Sequence, residues 1–317
     1  MEKVSILVPV YGVEKYIKQC ARSLFEQTYK NIEYIFVDDC SKDNSISILK
    51  ETALDYPERK EQIKIIRHSE NKGLGGARLT ALKNASGEYV THVDSDDFLP
   101  KDAISILVEK AEESGADLTD GGYAEWENGQ TVKILKAPHY RKEKYLKAML
   151  CQNIVSNRIW GRLYKREMLM KYEVFSVEGI DFSEDYAVVP RAMLHSKLAY
   201  TDDTIYYYRK DNSCSYTHTA SEKHVISHIK ACQLVAEYIR NSEEGNRYGT
   251  AVDLGIVNAY RCLRDNGFDI RRAEEILTYK PKDKVCRMLI GLLKKRAGRK
   301  TVDIPYLIYR KLYIMLG

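Results

Sequence analysis

Four short clusters in the 317-residue chain carry the residue types that chemistry needs. Asp94-Ser95-Asp96-Asp97 sets carboxylates two apart. On a turn, such a pair can aim oxygens at one hard divalent cation. Mg2+ and Mn2+ favour oxygen ligands and leave positions open for phosphate. The same tetrapeptide could instead cap a following helix or be solvated. Asp38-Asp39 could accept hydrogen bonds from a ribose hydroxyl or a base N–H. Either could equally cap the next helix, as could Ser41 and Asp43. Asn71-Lys72-Gly73-Leu74-Gly75-Gly76-Ala77-Arg78 is a glycine-rich loop opening a helix, where anions are favoured and Lys72 and Arg78 add positive charge. It has neither the GK[ST] of a Walker loop nor the last small residue of a dinucleotide fingerprint. Glu184-Asp185 falls where a loop enters a helix reaching His195, a place where acids are common for dipole reasons alone.

These clusters need a frame, and the hydropathy pattern predicts one. Residues 4–8, 34–37, 63–66 and 89–93 are short runs of buried-strand type. Helical spacing separates them over 14–27, 45–56 and 76–85, with Ile17, Cys20, Ala21, Leu24 and Phe25 on one face of the first. Repeated strand–helix units predict an α/β fold, a mostly parallel sheet with helices on both faces. Ligands then bind at the carboxyl ends of the strands. Residues 9–12, 38–41 and 94–97 lie just past strand ends and are predicted to converge on one crevice. Beyond residue 100 the alternation loosens into a helix over 102–114, a hairpin through Asn128-Gly129, and extended segments over 157–164 and 199–208. After about residue 213 every periodic segment reads helical. The predicted division is 1–213 for the α/β domain and 214–317 for a helical C-terminal region.

Composition narrows the class. With 30% charged and 44% hydrophobic residues, the chain suits a soluble globular protein rather than a disordered one. No stretch approaches the roughly 18–20 apolar residues of a membrane span. The N-terminal apolar run is too short for a signal-peptide core, so a cytoplasmic chain is expected. Seven scattered cysteines without a CxxC pair read as reduced thiols. Residues 281–317 carry ten Lys/Arg and two Asp, a net +8, whereas residues 1–280 sum to −3. That asymmetry points to local contact with an anionic surface and away from nucleic acid. Val285, Met288, Leu289, Leu292 and Leu293 recur at helical spacing among Lys284, Arg287, Lys294, Lys295 and Arg296. Tyr306 to Leu316 repeats the mixture. Basic amphipathic helices with aromatics lie in membrane interfaces, although such a face could also pack on the catalytic domain.

Val4-Ser5-Ile6-Leu7-Val8-Pro9-Val10-Tyr11, Phe36 to Ser45, the glycine-rich segment, Gly87-Glu88-Tyr89-Val90 and Asp94 to Asp97 come in an order and spacing that resembles family 2 glycosyltransferases of the bacterial polysaccharide type. The likeness is dense over the first hundred residues. It continues through Trp160-Gly161-Arg162-Leu163-Tyr164, Glu184-Asp185 and Tyr206 to Ser213. The resemblance implies the GT-A fold, which is Rossmann-like, with a C-terminal helical region. It also implies a metal-dependent, inverting transfer of a sugar, of hexosyltransferase type, from a UDP donor to a saccharide or lipid-linked acceptor. By the same resemblance Pro9, Val10 and Tyr11 cradle the nucleobase, Asp39 hydrogen-bonds it, and Arg78 lies near the diphosphate. Asp94-Ser95-Asp96 is the DxD motif, with Asp94 towards the ribose and Asp96 on Mn2+ or Mg2+. Asp185 is the general base. Gly12 and Gly161 stand where the family usually has Asn. Two rivals are a non-catalytic nucleotide-sugar-binding or scaffold protein of this fold, and nucleotidyl transfer. A lipid-linked acceptor would place residues 284–317 against the inner face of the cell membrane. Oligomerisation is left open.

Overall fold

The structure, a computed structural model, describes residues 1–152, 155–212 and 221–316. They form two compact units from interleaved stretches. The first takes Met1–His139, Ile159–Gly179 and His195–Ser215; the second takes Tyr140–Arg158, Ile180–Leu194 and Tyr216–Gly317. The expected division at 213 and 214, and Ser213 at the end of the motif that starts at Tyr206, lie outside the described residues.

In chain order the elements run β1 Val4–Val10, α1 Ile17–Phe25, β2 Ile32–Asp38, α2 Ser45–Leu54, β3 Ile63–Arg67, α3 Gly73–Lys83, β4 Tyr89–His92, α4 Ala103–Ser114, β5 Leu118–Glu127 and β6 Gln130–Leu135. They continue with α5 Lys142–Leu150, β7 Arg162–Lys165, α6 Arg166–Lys171, α7 Glu184–His195, β8 Leu198–Arg209, α8 Glu222–Asn241, α9 Gly245–Asp265, α10 Arg271–Ile276, α11 Lys284–Lys294 and α12 Arg299–Leu316.

The sheet of the first unit has the order β3-β2-β1-β4-β7-β5-β6, with β8 along β5. Its β3-β2-β1-β4 half is parallel, as the strand–helix alternation requires. β7 then runs antiparallel to both β4 and β5, and β8 is parallel to β5. All seven residues of β1 are buried because it has a strand on each side and helices on each face. Val4, Ile6, Val8 and Val10 join one core with Leu24 and Phe25 of α1 and Ile104 and Leu107 of α4. α3 packs on β1 and β2 outside that core, the other face of a period-two strand. The hairpin turns at Asn128 and Gly129, both with positive φ (50° and 82°), the backbone that the Asn-Gly pair favours.

The second unit is helical. α8 and α9 pack along each other, and α9 also contacts α5, α11 and α12. Its centre holds a buried carboxylate, Asp253, which accepts from Arg240, the Tyr279 hydroxyl and the Lys282 and Asp283 amides. Those five bonds make the buried charge tolerable and tie α8, α9 and the segment leading into α11.

Candidate active site

Parallel register puts the ends of β1, β2 and β4 side by side. Val10 pairs with Asp38, and Leu7 pairs with His92. The Asp39 amide donates to the Val10 carbonyl at 3.0 Å and the Val93 amide to the Leu7 carbonyl at 3.0 Å. The chain therefore delivers Tyr11, Asp39 and Asp94 to one edge. Pro9 and Val10 are buried in or beside the sheet, while the Tyr11 ring is 52% exposed.

The loop after β1 is stitched to the loop after β2. Gly12 donates its amide to Ser41 Oγ (2.9 Å), Val13 to Ser45 Oγ (3.0 Å), and Glu14 to Asp43 Oδ2 (2.9 Å). Burial alone would raise the Asp43 carboxyl, but hydrogen bonds from Ser45, Ser41 and the Glu14 amide outweigh it and hold it low. Asp38 accepts the Ser41 amide at 2.8 Å and faces Arg67 at 3.4 Å. Asp38 and Asp43 therefore build the turn into α2.

Asp39 does something else. Its Oδ1 receives the Lys72 amide (2.8 Å) and lies 2.7 Å from His68 Nδ1, while His68 Nε2 meets Thr80 Oγ1 at 2.9 Å. Both bonds use one oxygen, Oδ1. The glycine-rich segment was expected as a loop with a helix from residue 76. It is instead the first turn of α3, which starts at Gly73. The reason is steric: a Cβ on Gly76 would sit 2.7 Å from Lys72 Cβ, and Gly73 has a φ of +75°. Only glycine lets the helix wind this close to its own entry.

Asp94 to Asp97 lie well before α4, whose N-cap is Asp102, so they are not its cap. Arg78, buried in α3, binds Asp94 Oδ1 at 2.7 Å. Its charge is directed at Asp94, and Ser95 is buried. Asn212 Nδ2 donates to Asp96 Oδ2 at 2.7 Å. Tyr206 on β8 accepts the Asp94 amide at 3.1 Å and donates to Asp97 Oδ2 at 2.7 Å. Arg209 gives its amide to Asp97 (2.7 Å) and its Nε to the Asp96 carbonyl (2.8 Å), with the guanidinium 4.9 Å above the Tyr16 ring. Burial first, then the Asp96 and Asp94 charges, push the Asp97 carboxyl well up; burial and then Asp94 raise Asp96, against the hydrogen bond from Asn212. Trp160 stacks on Tyr206 at 4.4 Å and on Tyr208 at 5.2 Å, bracing β8 from behind.

Asp185 stands in the first turn of α7, in the second unit. α8 grips the loop that leads into it. The Ser227 hydroxyl accepts the Asp181 and Phe182 amides at 3.0 Å each and donates to the Phe182 carbonyl at 2.9 Å. His228 Nδ1 meets Ser183 Oγ at 2.9 Å, and Phe182 stacks on His224 at 5.0 Å. Burial lowers His228 to about 4, so it is neutral at ordinary pH. Ser183 is held at φ +62°, a strained backbone for a residue with a side chain. A cavity of about 210 Å³ opens beside this loop, lined by Gln152, Asn157, Ser183, Tyr186 and His228 among others.

His68, Asn212, Tyr206 and Arg209, with Ser227 and His228, were not singled out from the sequence as site residues. Tyr206, Arg209 and Asn212 lie inside a motif that carried the resemblance; His68, Ser227 and His228 had no signal of their own.

A sheet of this topology with acidic clusters at its carboxyl edge has a known place. The model for Glycosyl transferase family 2 matches residues 5–173, over half of the chain, and the protein belongs to that family of glycosyltransferases. GlyA of Streptococcus pneumoniae is 34% identical over 221 residues, 66% of this chain but 30% of its own length. EpsH of Bacillus subtilis is 32% identical over 262 residues, 80% of this chain and 74% of that protein. The chain thus matches less than a third of GlyA and about three quarters of EpsH. Among solved structures, Staphylococcus aureus TarS 1–349 in complex with UDP-GlcNAc has a TM-score of 0.70 at 22% identity, covering 98% of this chain and 91% of that one. At that identity the likeness establishes the fold, which is GT-A.

Proposed function

We propose that this glycosyltransferase transfers a hexose from a UDP-sugar, with inversion and with help from a divalent cation, to a saccharide or lipid-linked acceptor in cell-surface polysaccharide synthesis. The observation that carries the reading is the braced carboxylate set Asp94–Asp96 beside an oriented Asp39. Oδ2 of Asp39 suits the imide N–H of uracil, and Tyr11 offers a ring face to the base. The complex of TarS with UDP-GlcNAc supports the same donor class.

The residues fit Mn2+ or Mg2+. Arg78 and Asn212 each engage one oxygen of Asp94 and Asp96, which leaves the other oxygen of each carboxylate for an ion. Among the described residues no three His, Cys, Asp or Glu form a ready protein cage. Such ions commonly take remaining ligands from phosphate and water. When bound, the cation supplies neutralisation of the departing diphosphate. Asp96 would hold it, and Asp94 would face the ribose with its direction set by Arg78. Asp185 would take the proton of the acceptor hydroxyl as that oxygen attacks the anomeric carbon and the bond to the diphosphate breaks. Direct displacement inverts that carbon. The cavity beside Ser183 offers amide, hydroxyl and imidazole groups without a charged side chain, which suits a neutral sugar ring.

A screen of purified protein against UDP-sugars, reading UDP release with and without acceptor extracts, tests this reading. Activity should vanish in EDTA and return with Mn2+ or Mg2+, and Asp96→Asn should abolish it while the fold persists. Full turnover in EDTA would remove the cation from the mechanism. UDP-sugar binding with no release under any condition would favour a binder.

A further inference from the structure

α12 has two different sides. Val302 and Tyr306 are fully buried, Tyr306 lies between the guanidinium groups of Arg261 (4.5 Å) and Arg310 (5.4 Å), and Tyr309 donates to Asp283 at 2.7 Å. Asp303 pairs with Arg261 and Arg264 on α9. These contacts fix the helix on the second unit and turn its opposite side outward. That side carries Ile304 (53% exposed), Leu307 (44%), Ile308 (55%), Leu312 (49%) and Met315 (69%). At 100° per residue they fall within one arc of about 140°, which the exposed Lys300, Thr301 and Lys311 share. Isolated exposed apolar residues need no explanation, but a stripe of five on one helix does.

Charge indicates what covers it. Lys300 and Lys311 are exposed on the same face, among the five, and Lys295 and Arg296 are exposed just before it, beside Lys294 and Arg299, which pair with Glu274 and Asp265. The one acid of α12, Asp303, is already paired. A second copy of the chain would bring these cations against themselves. No helix among the described residues is long and apolar enough to cross a membrane. An apolar face with two long lysines among its side chains suits a helix lying flat, with its methyl groups among acyl chains and its ammonium groups snorkelling to anionic headgroups. We propose that α12 is an interfacial helix docking the protein on an anionic lipid bilayer, with Ile304, Leu307, Ile308, Leu312 and Met315 as the inserted face.

Full-length protein mixed with vesicles of phosphatidylcholine, with or without phosphatidylglycerol, provides the test. It should sediment with the anionic vesicles at low salt, much less at high salt, and little with phosphatidylcholine alone. Ile308→Glu combined with Leu312→Glu should reduce partitioning at least tenfold. Both side chains are solvent-exposed, so circular dichroism and UDP binding should match the unsubstituted protein. Lys300→Glu with Lys311→Glu should remove the preference for anionic vesicles, and it tests the proposal if the first variant folds poorly. Protein that stays in solution with anionic vesicles at low salt overturns the proposal. So does a dimer in light scattering that the Ile308→Glu and Leu312→Glu variant splits, because a second copy would then be the occupant.

Discussion

His68 is the residue whose importance is least visible in the sequence and plainest in the structure. It holds one oxygen of Asp39 and is itself held by Thr80. A hydrogen bond to a charged group contributes about 1.5–3 kcal/mol. His68→Ala should therefore weaken UDP binding by roughly tenfold or more in calorimetry, since 1.4 kcal/mol is tenfold. Unchanged affinity would mean Asp39 does not read the base. Asp185→Asn should cut turnover by about 10²–10⁴-fold, the usual contribution of a placed general base, with UDP binding intact; lost UDP binding would assign Asp185 to the donor side. What was legible here were residues adjacent in the chain. Asp38-Asp39, Asp94 to Asp97 and Glu184-Asp185 announce themselves as acidic pairs. Arg209 and Asn212 reach the same carboxylates from more than a hundred residues away, and no spacing rule links them. Gly12 and Gly161 show a subtler signal. Both have positive φ, 68° and 66°, and Asn and Gly are the residues that tolerate that backbone. Gly in the family's Asn position thus preserves the turn at both places.

At the scale of elements, the alternation of apolar runs predicted β1 to β4 and the helices between them because β1, β2 and β4 are buried on both faces and the edge strand β3 is partly buried. α5 and the short α6 were missed, and of the extended stretch 157–164 only the last three residues became strand, in β7. Their local patterns are weak because tertiary packing decides them. Glu33 of β2 shows such packing at work. It accepts from Lys3, Ser5, Ser86 and the Gly87 amide, joining β1, β2 and the entry to β4. A Cβ on Gly87 would lie 2.7 Å from Ser5 Oγ, so glycine is required there for steric reasons. Burial would raise the Glu33 carboxyl, but Lys3, Ser5 and Ser86 together bring it to about 2. A folded value below the unfolded one stabilises above the unfolded pKa and is lost as pH falls through about 4 to about 2. Glu33→Gln should thus cost about 2 kcal/mol at neutral pH, allowing for solvent screening. The gap between the two melting curves should close by about pH 2. A constant gap would show that shape rather than charge matters at this position.

At the scale of the whole molecule, the chain passes between its two units several times. α5 buries Tyr145, Leu146, Met149 and Leu150, and α9 approaches it so closely that a Cβ on Gly255 would lie 2.4 Å from the Leu150 carbonyl. On α7, Arg191 sits over the Tyr238 ring of α8 at 5.4 Å. A chain ending at residue 212 would keep α5 and α7 but lose what covers them. It should aggregate or bind a hydrophobic dye, whereas a soluble, cooperatively melting product would show that the first stretches fold without the last. The interleaving also sets a timetable for synthesis. β1 to β4 can assemble while the chain is still emerging. α9, which shelters α5, leaves the ribosome roughly 100 residues later, and α8, which packs on α7, roughly 40 residues later, so about 2–20 s at typical elongation speeds. During that interval two oily helices stand open on every nascent chain, and how much enzyme a cell obtains should depend on the chaperones that meet it there.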